Sequence, residues 1–162
     1  MVGTNTATVI DDDSGYQRLR KNITTLKDHG VDVGLWGDQG GGAELGSASA
    51  PATVVEYAVY NEFGTSRGIP PRPFMGTTAD RHRDQVLAFM GDLAGQVVEG
   101  RATTERVLRV LGMHYQSLMR QTVRDSPSWA QENADATKAR KESTSPLIDS
   151  GTMVRSITFQ IV

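Results

Sequence analysis

The sequence predicts a mixed α and β domain with two strand-like segments, two long amphipathic helices and extended loops. Three observations carry that prediction. Apolar residues alternate by two in "VDVGLWG" and again at Ile157, Phe159 and Ile161, the period of a strand. Between these segments, Val86, Phe89, Met90, Leu93 and Val97 recur at three and four, and so do Val107, Leu111, His114 or Tyr115, Leu118 and Thr122. Glycines at Gly30, Gly64 and Gly100 fall where periodic runs end, as helix stops do.

Residues 1–13 show no period, and Asp11, Asp12 and Asp13 read as a solvated cluster on a flexible N-terminal arm. One domain covers 14–162. Ser14 is placed to cap a first helix whose apolar stripe is Tyr16, Leu19, Ile23 and Leu26, and Gly30 stops it. The strand that follows has Val31, Val33 and Leu35 on one face and Asp32, Gly34 and Trp36 on the other. Residues 38–53 hold glycine, serine and alanine with nothing to bury, so they predict a flexible loop. "VVEYAVYNEF" then places Val54 or Val55, Ala58, Tyr60 or Asn61, and Phe63 on a short helix stopped by Gly64.

The two long helices come next. The first follows Phe74 and closes at Gly100; the second is capped by Thr103 or Thr104, so the pair forms a hairpin. Beyond it the chain is polar and irregular, with one short helix around residues 134–141. A helical turn capped by Asp149 or Ser150 leads to the terminal strand, whose natural partner is "VDVGLWG".

Composition narrows the function. A chain of 162 residues suits one core. With 17 basic and 19 acidic residues there is no global field to gather nucleic acid or an anionic membrane. The absence of cysteine excludes disulfides, thiolate metal sites and cysteine nucleophiles. No run of about twenty apolar residues and no basic leader followed by an apolar segment occurs, so the expected compartment is cytoplasm-like, without a membrane.

No catalytic constellation is legible, and no cofactor or metal is expected. His29, His82 and His114 lie in separate segments without ligand spacing; His114 reads as a core or interface residue and His82 as solvent-facing. "GDQGGGAELG" lacks the lysine and hydroxyl of a phosphate loop. Arg67, Arg72, Arg81 and Arg83 are the densest basic cluster, diluted by Asp80 and Asp84, and keep a DNA-binding module as a competing reading.

The most informative segment is "YNEFGTSRGIPPRPFM". Proline fixes φ and extends the residue before it, so Ile69, Pro70, Pro71, Arg72, Pro73 and Phe74 predict a stiff arm that loses little entropy on docking. Arg72 can pair with a carboxylate, and Phe63 and Phe74 can anchor the arm in apolar pockets of a neighbour or of their own core. The candidate interface is therefore Glu62, Phe63, Gly64, Arg67 and residues 69–74, with 64–74 as a docking loop.

This segment resembles the signature of tail-completion and virion-morphogenesis proteins of tailed bacteriophages, in which Glu-Phe-Gly-Thr precedes Ile-Pro-Pro-Arg-Pro-Phe. A second block is similar as well: Trp129, Thr137, Arg140, Lys141, residues 146–151, Ser156 and Ile157 match the family's C-terminal passage in the same order. The resemblance covers roughly residues 54–75 and 128–158. It implies an α+β fold, an antiparallel sheet packed against the two long amphipathic helices, and a structural, non-enzymatic virion protein: a homo-oligomeric ring, of six copies, at the head-proximal end of the tail. The implied partners are neighbouring copies, the neck or connector, and terminator or tail-tube proteins, with non-specific proximity to phage DNA and assembly in the bacterial host cytoplasm. A tail terminator or another minor tail component is the alternative within this class. On this reading Phe74 and Arg72 anchor the arm, Glu62 and Phe63 shape its base, and the 38–53 loop orders on docking.

Overall fold

The computed structural model describes residues 13–37, 53–141 and 143–162. In chain order they form α1 (Ser14–Lys27), β1 (Val31–Gly34), α2 (Val54–Phe63), α3 (Phe74–Val98), α4 (Thr104–Arg124), α5 (Asp135–Arg140), α6 (Thr152–Ser156) and β2 (Thr158–Ile161). The architecture is α+β, mainly helical, with a two-stranded antiparallel sheet. No described helix is long and apolar enough to cross a membrane. Residues 1–12 of the predicted 1–13 arm and 38–52 of the predicted 38–53 loop lie outside the described residues. Thr53 leaves that loop and becomes the N-cap of α2.

The hairpin of α3 and α4 is the frame. Gly100 adopts φ 73° and ends α3 in a Schellman turn, its N–H donating to Val97 O at 3.0 Å while Arg101 N donates to Gln96 O at 2.8 Å. Thr103 then caps α4, its hydroxyl accepting from Arg106 N at 3.3 Å.

The sheet lies against α4. β1 pairs with β2 in the expected sense, Val31 opposite Ile161 and Val33 opposite Phe159. Gly112 admits the Phe159 ring, since a Cβ there would overlap it. Gln116 Nε2 and Arg120 Nη2 both donate to Ile157 O, at 3.1 and 2.7 Å, fastening the start of β2 to the helix. Ile157 itself is fully buried.

Two apolar cores result. One gathers Ala58, Phe74, Met119, Val123, Leu147, Met153, Val154 and Ile157. The other gathers Leu93, Val97 and Val107, with Leu26 and Phe89 packed against it.

Several local expectations change. Asp13, not Ser14, is the N-cap of α1. Gly30 does not end that helix, which stops at Lys27; its N–H and C=O instead exchange bonds with Val162 at 2.7 and 3.0 Å, prolonging the ladder. Leu35 and Trp36 lie beyond β1. The turn before β2 starts at left-handed Gly151 rather than on an Asp149 or Ser150 cap. The stripe of α1 is only partly covered: Leu19 and Leu26 are half-buried, while Tyr16 is 62% and Ile23 49% exposed. Asn22 holds the helix to α3 by donating to Val97 O at 3.1 Å.

Candidate functional site

The predicted docking loop is built from the end of α2. A capping box starts this helix: Thr53 Oγ1 accepts from Glu56 N at 3.2 Å, and Glu56 Oε2 accepts from Thr53 N at 2.8 Å. Two stripes then diverge. Val54, Ala58 and Asn61 are buried, while Val59, Tyr60 and Phe63 face outward.

Gly64 ends the helix at φ 72° and ψ −179°, a conformation kept for glycine. A Cβ there would sit 2.9 Å from Ile69 O. The chain then closes a compact turn, Thr65 N donating to Ile69 O at 2.9 Å and Ile69 N to Thr65 Oγ1 at 3.2 Å. The arm therefore folds back at its base rather than projecting from Gly64.

Glu62 receives the return. Its carboxylate accepts from Met75 N at 2.9 Å and Gly76 N at 3.1 Å, occupying the open amides at the start of α3, where Pro73 offers no capping side chain. Phe74 is the first residue of α3 and lies wholly within the first core.

Arg72 is the centre of the site. Its side chain is buried, and Nε donates to Gln131 O at 2.7 Å. Nη1 donates to Asn61 Oδ1 at 3.2 Å, and Nη2 to Glu132 O at 3.2 Å and Asn133 Oδ1 at 3.0 Å. All four acceptors are neutral oxygens, which corrects the expected carboxylate partner. Burial lowers the guanidinium pKa from its ordinary value, opposed by the nearby Tyr57.

The acceptors are themselves fixed. Asn61 Nδ2 donates to Tyr57 O at 2.8 Å, and Asn133 Nδ2 to Pro146 O at 3.3 Å. Lys141 Nζ donates to Ser145 O at 3.0 Å and Pro146 O at 3.2 Å; burial lowers its pKa too. Trp129 Nε1 donates to Thr122 O at 2.9 Å, and the Arg81 guanidinium lies 5.6 Å from the Trp129 ring centroid. Burial also raises the Tyr57 phenol pKa, with smaller opposing and supporting contributions from Asn61, Asp149 and Arg72.

The candidate residues thus divide. Arg72 and Phe74 are held within their own chain, so they are not free anchors for a neighbour, and Glu62 is a helix cap. Phe63, 77% exposed, and Ile69 remain outward, as do Arg67, Pro71 and Pro73; Gly64 and Pro70 are half-buried. Of the basic cluster, Arg72 is buried and Arg81 lies over Trp129, while Arg67, Arg81 and Arg83 are exposed. His114 packs its ring against Phe89 at 4.7 Å, as an interface residue of the hairpin, and His82, half-buried, meets Gln85 Oε1 at 3.4 Å in a solvent-exposed contact. Among the described residues no group of three or more histidine, aspartate or glutamate side chains could hold a metal ion.

Sequence reasoning missed the acceptor role of Asn61 and Asn133 and the outward face of α2. A signal for that face was present, since Glu56, Val59, Tyr60 and Phe63 recur at i, i+3, i+4 and i+7 beside the buried stripe. No protein-family model, curated protein or solved structure matches the chain.

Proposed function

We propose that this chain is a structural virion protein of a tailed phage, a ring component at the head-proximal end of the tail that joins the tail to the connector of the filled head. The observation that carries the reading is the meeting of the two resembling blocks. Arg72, from "IPPRPF", spends its guanidinium on residues 131–133, and these are tied through Asn133 and Lys141 to the Pro146 carbonyl of the second block. The two segments that carry the resemblance are parts of one knot in space.

That knot supports an assembly role physically. It makes the base of the loop rigid while leaving Phe63 and Ile69 outward, so a partner contact there is preorganised. A ring needs a heterologous contact, one patch on each copy meeting a different patch on the next.

Electron microscopy of a lysate from a phage lacking only this chain tests the reading. DNA-filled heads beside separate tails of normal length are expected. Tails of uncontrolled length would assign it to termination instead, and normal infectious particles would overturn the structural role.

A further inference from the structure

Two clefts of different chemistry open beside the hairpin of α3 and α4. One, of about 370 Å³ along α3 and beside β1, is apolar. The other, of about 490 Å³, lies between α1 and the turn that joins α3 to α4, and it is built of charge: Arg18 and Lys21 line one wall, Arg101 and Arg106 the other.

The walls are set by the fold. Arg18, Lys21, Asn22 and Thr25 fall at i, i+3, i+4 and i+7, so one face of α1 turns toward the cleft. Asn22 Nδ2 fastens that face to the end of α3 by donating to Val97 O at 3.1 Å. The Arg18 guanidinium reaches the opposite wall, 3.8 Å from where a Cβ on Gly100 would sit.

The nearby carboxylates are already spent. Glu105, the acidic residue of the lining, accepts from Arg109 Nη2 at 2.9 Å, and Glu99 pairs with Arg101. Among the described residues Arg18, Lys21 and Arg106 make no ion pair. Three like charges thus face one cleft in a chain whose net charge is −2, and an anion that meets all three relieves their repulsion.

The remaining lining says which anion. Arginine, lysine, asparagine and threonine are the side chains that contact phosphate oxygens, and the guanidinium fork matches phosphate geometry. Ala102 is the only apolar side chain in the lining, so the aromatic and aliphatic anchors of a protein partner find no pocket here. No aromatic residue lines the cleft, which removes the platform on which single-stranded bases stack.

We propose that this cleft holds the phosphate backbone of a nucleic-acid duplex without reading its bases, with Arg18, Lys21 and Arg106 as the contacting cations. The site is separate from the Arg67, Arg81 and Arg83 cluster, and it stands whether or not the chain is a virion protein.

Fluorescence anisotropy of a labelled, mixed-sequence DNA duplex, titrated with the full chain between about 50 and 200 mM salt, tests the site. Three neutralised phosphates are expected to weaken binding about 40-fold across that range. Lys21→Gln and Arg106→Gln should each bind more weakly and cut the fall to about 12-fold, and the triple variant that adds Arg18→Gln should lose binding. All three positions are exposed, and unchanged thermal melts verify that the variants fold. Arg124→Gln removes the same charge at the far end of α4, about 27 Å from Arg106 along the helix, and is expected to bind like the wild type. No binding of the duplex at about 50 mM salt would overturn the proposal. So would an equal loss in Arg124→Gln, which would trace the attraction to net charge rather than to the cleft. Phosphatidylserine vesicles that bind through the same three residues while the duplex does not would assign the cleft to a lipid headgroup and overturn it as well.

Discussion

Phe63 and Phe74 bracket the same loop and look equivalent in sequence, yet one is 77% exposed and the other wholly buried. Phe74 opens α3 with its ring in the first core; Phe63 closes α2 with its ring in solvent. The difference separates two jobs that the motif merges. Phe74, Arg72 and Glu62 hold the loop to its own chain, whereas Phe63 and Ile69 stay outward.

The most damaging way to probe the contrast is truncation of each ring. Phe74→Ala is expected to lose about 3–5 kcal/mol of stability in urea unfolding, through lost burial and the cavity left behind. Phe63→Ala is expected to stay within about 0.5 kcal/mol of the wild type under conditions where the chain is monomeric. Equal losses would erase the distinction between the two ends of the loop.

Arg72→Lys sharpens it further. A lysine keeps the charge but cannot present a planar fork to four oxygens, so about 1.5–3 kcal/mol should be lost in the same measurement. A neutral result would mean that the knot between the two blocks contributes shape but no stability.

The smallest effect is in alkaline titration. Burial raises the pKa of Tyr57 and Tyr115 above the ordinary phenol value of about 10. Below pH 10 both states keep the proton and the stability is fully present. Above it the unfolded chain ionises first, so stability falls as pH rises through the folded-state values. Phenolate absorbance should therefore show Tyr57 and Tyr115 titrating later in the folded protein than in the unfolded chain, and a single unshifted transition would contradict their burial.

Much of the fold could be read directly. The hairpin of α3 and α4, with its Gly100 stop and a threonine cap at 103 or 104, follows from local patterns, because period, caps and stops are properties of neighbouring residues; the pairing of β1 with β2 followed from the need of the terminal strand for a partner. The local readings that failed depended on distant groups. Gly30 looks like a helix stop until Val162 pairs with it. The stripe of α1 looks buried until the rest of the chain leaves Tyr16 and Ile23 uncovered. At the site, the stiffness of residues 70–73 was legible from proline chemistry, but the partners of Arg72 were not.

By itself, then, the sequence determined most of the elements, several of their caps and stops and the φ restriction of the loop's prolines, since these depend on periodicity, capping and ring geometry within a few residues. Only the tertiary structure decided that Arg72 turns inward to carbonyls of residues 131 and 132, that Phe74 is core and Phe63 is not, and that an apolar groove lies along α3. Those outcomes depend on which surfaces meet across long separations in the chain. Burial is a property of the packed assembly, and a residue's own chemistry does not set it.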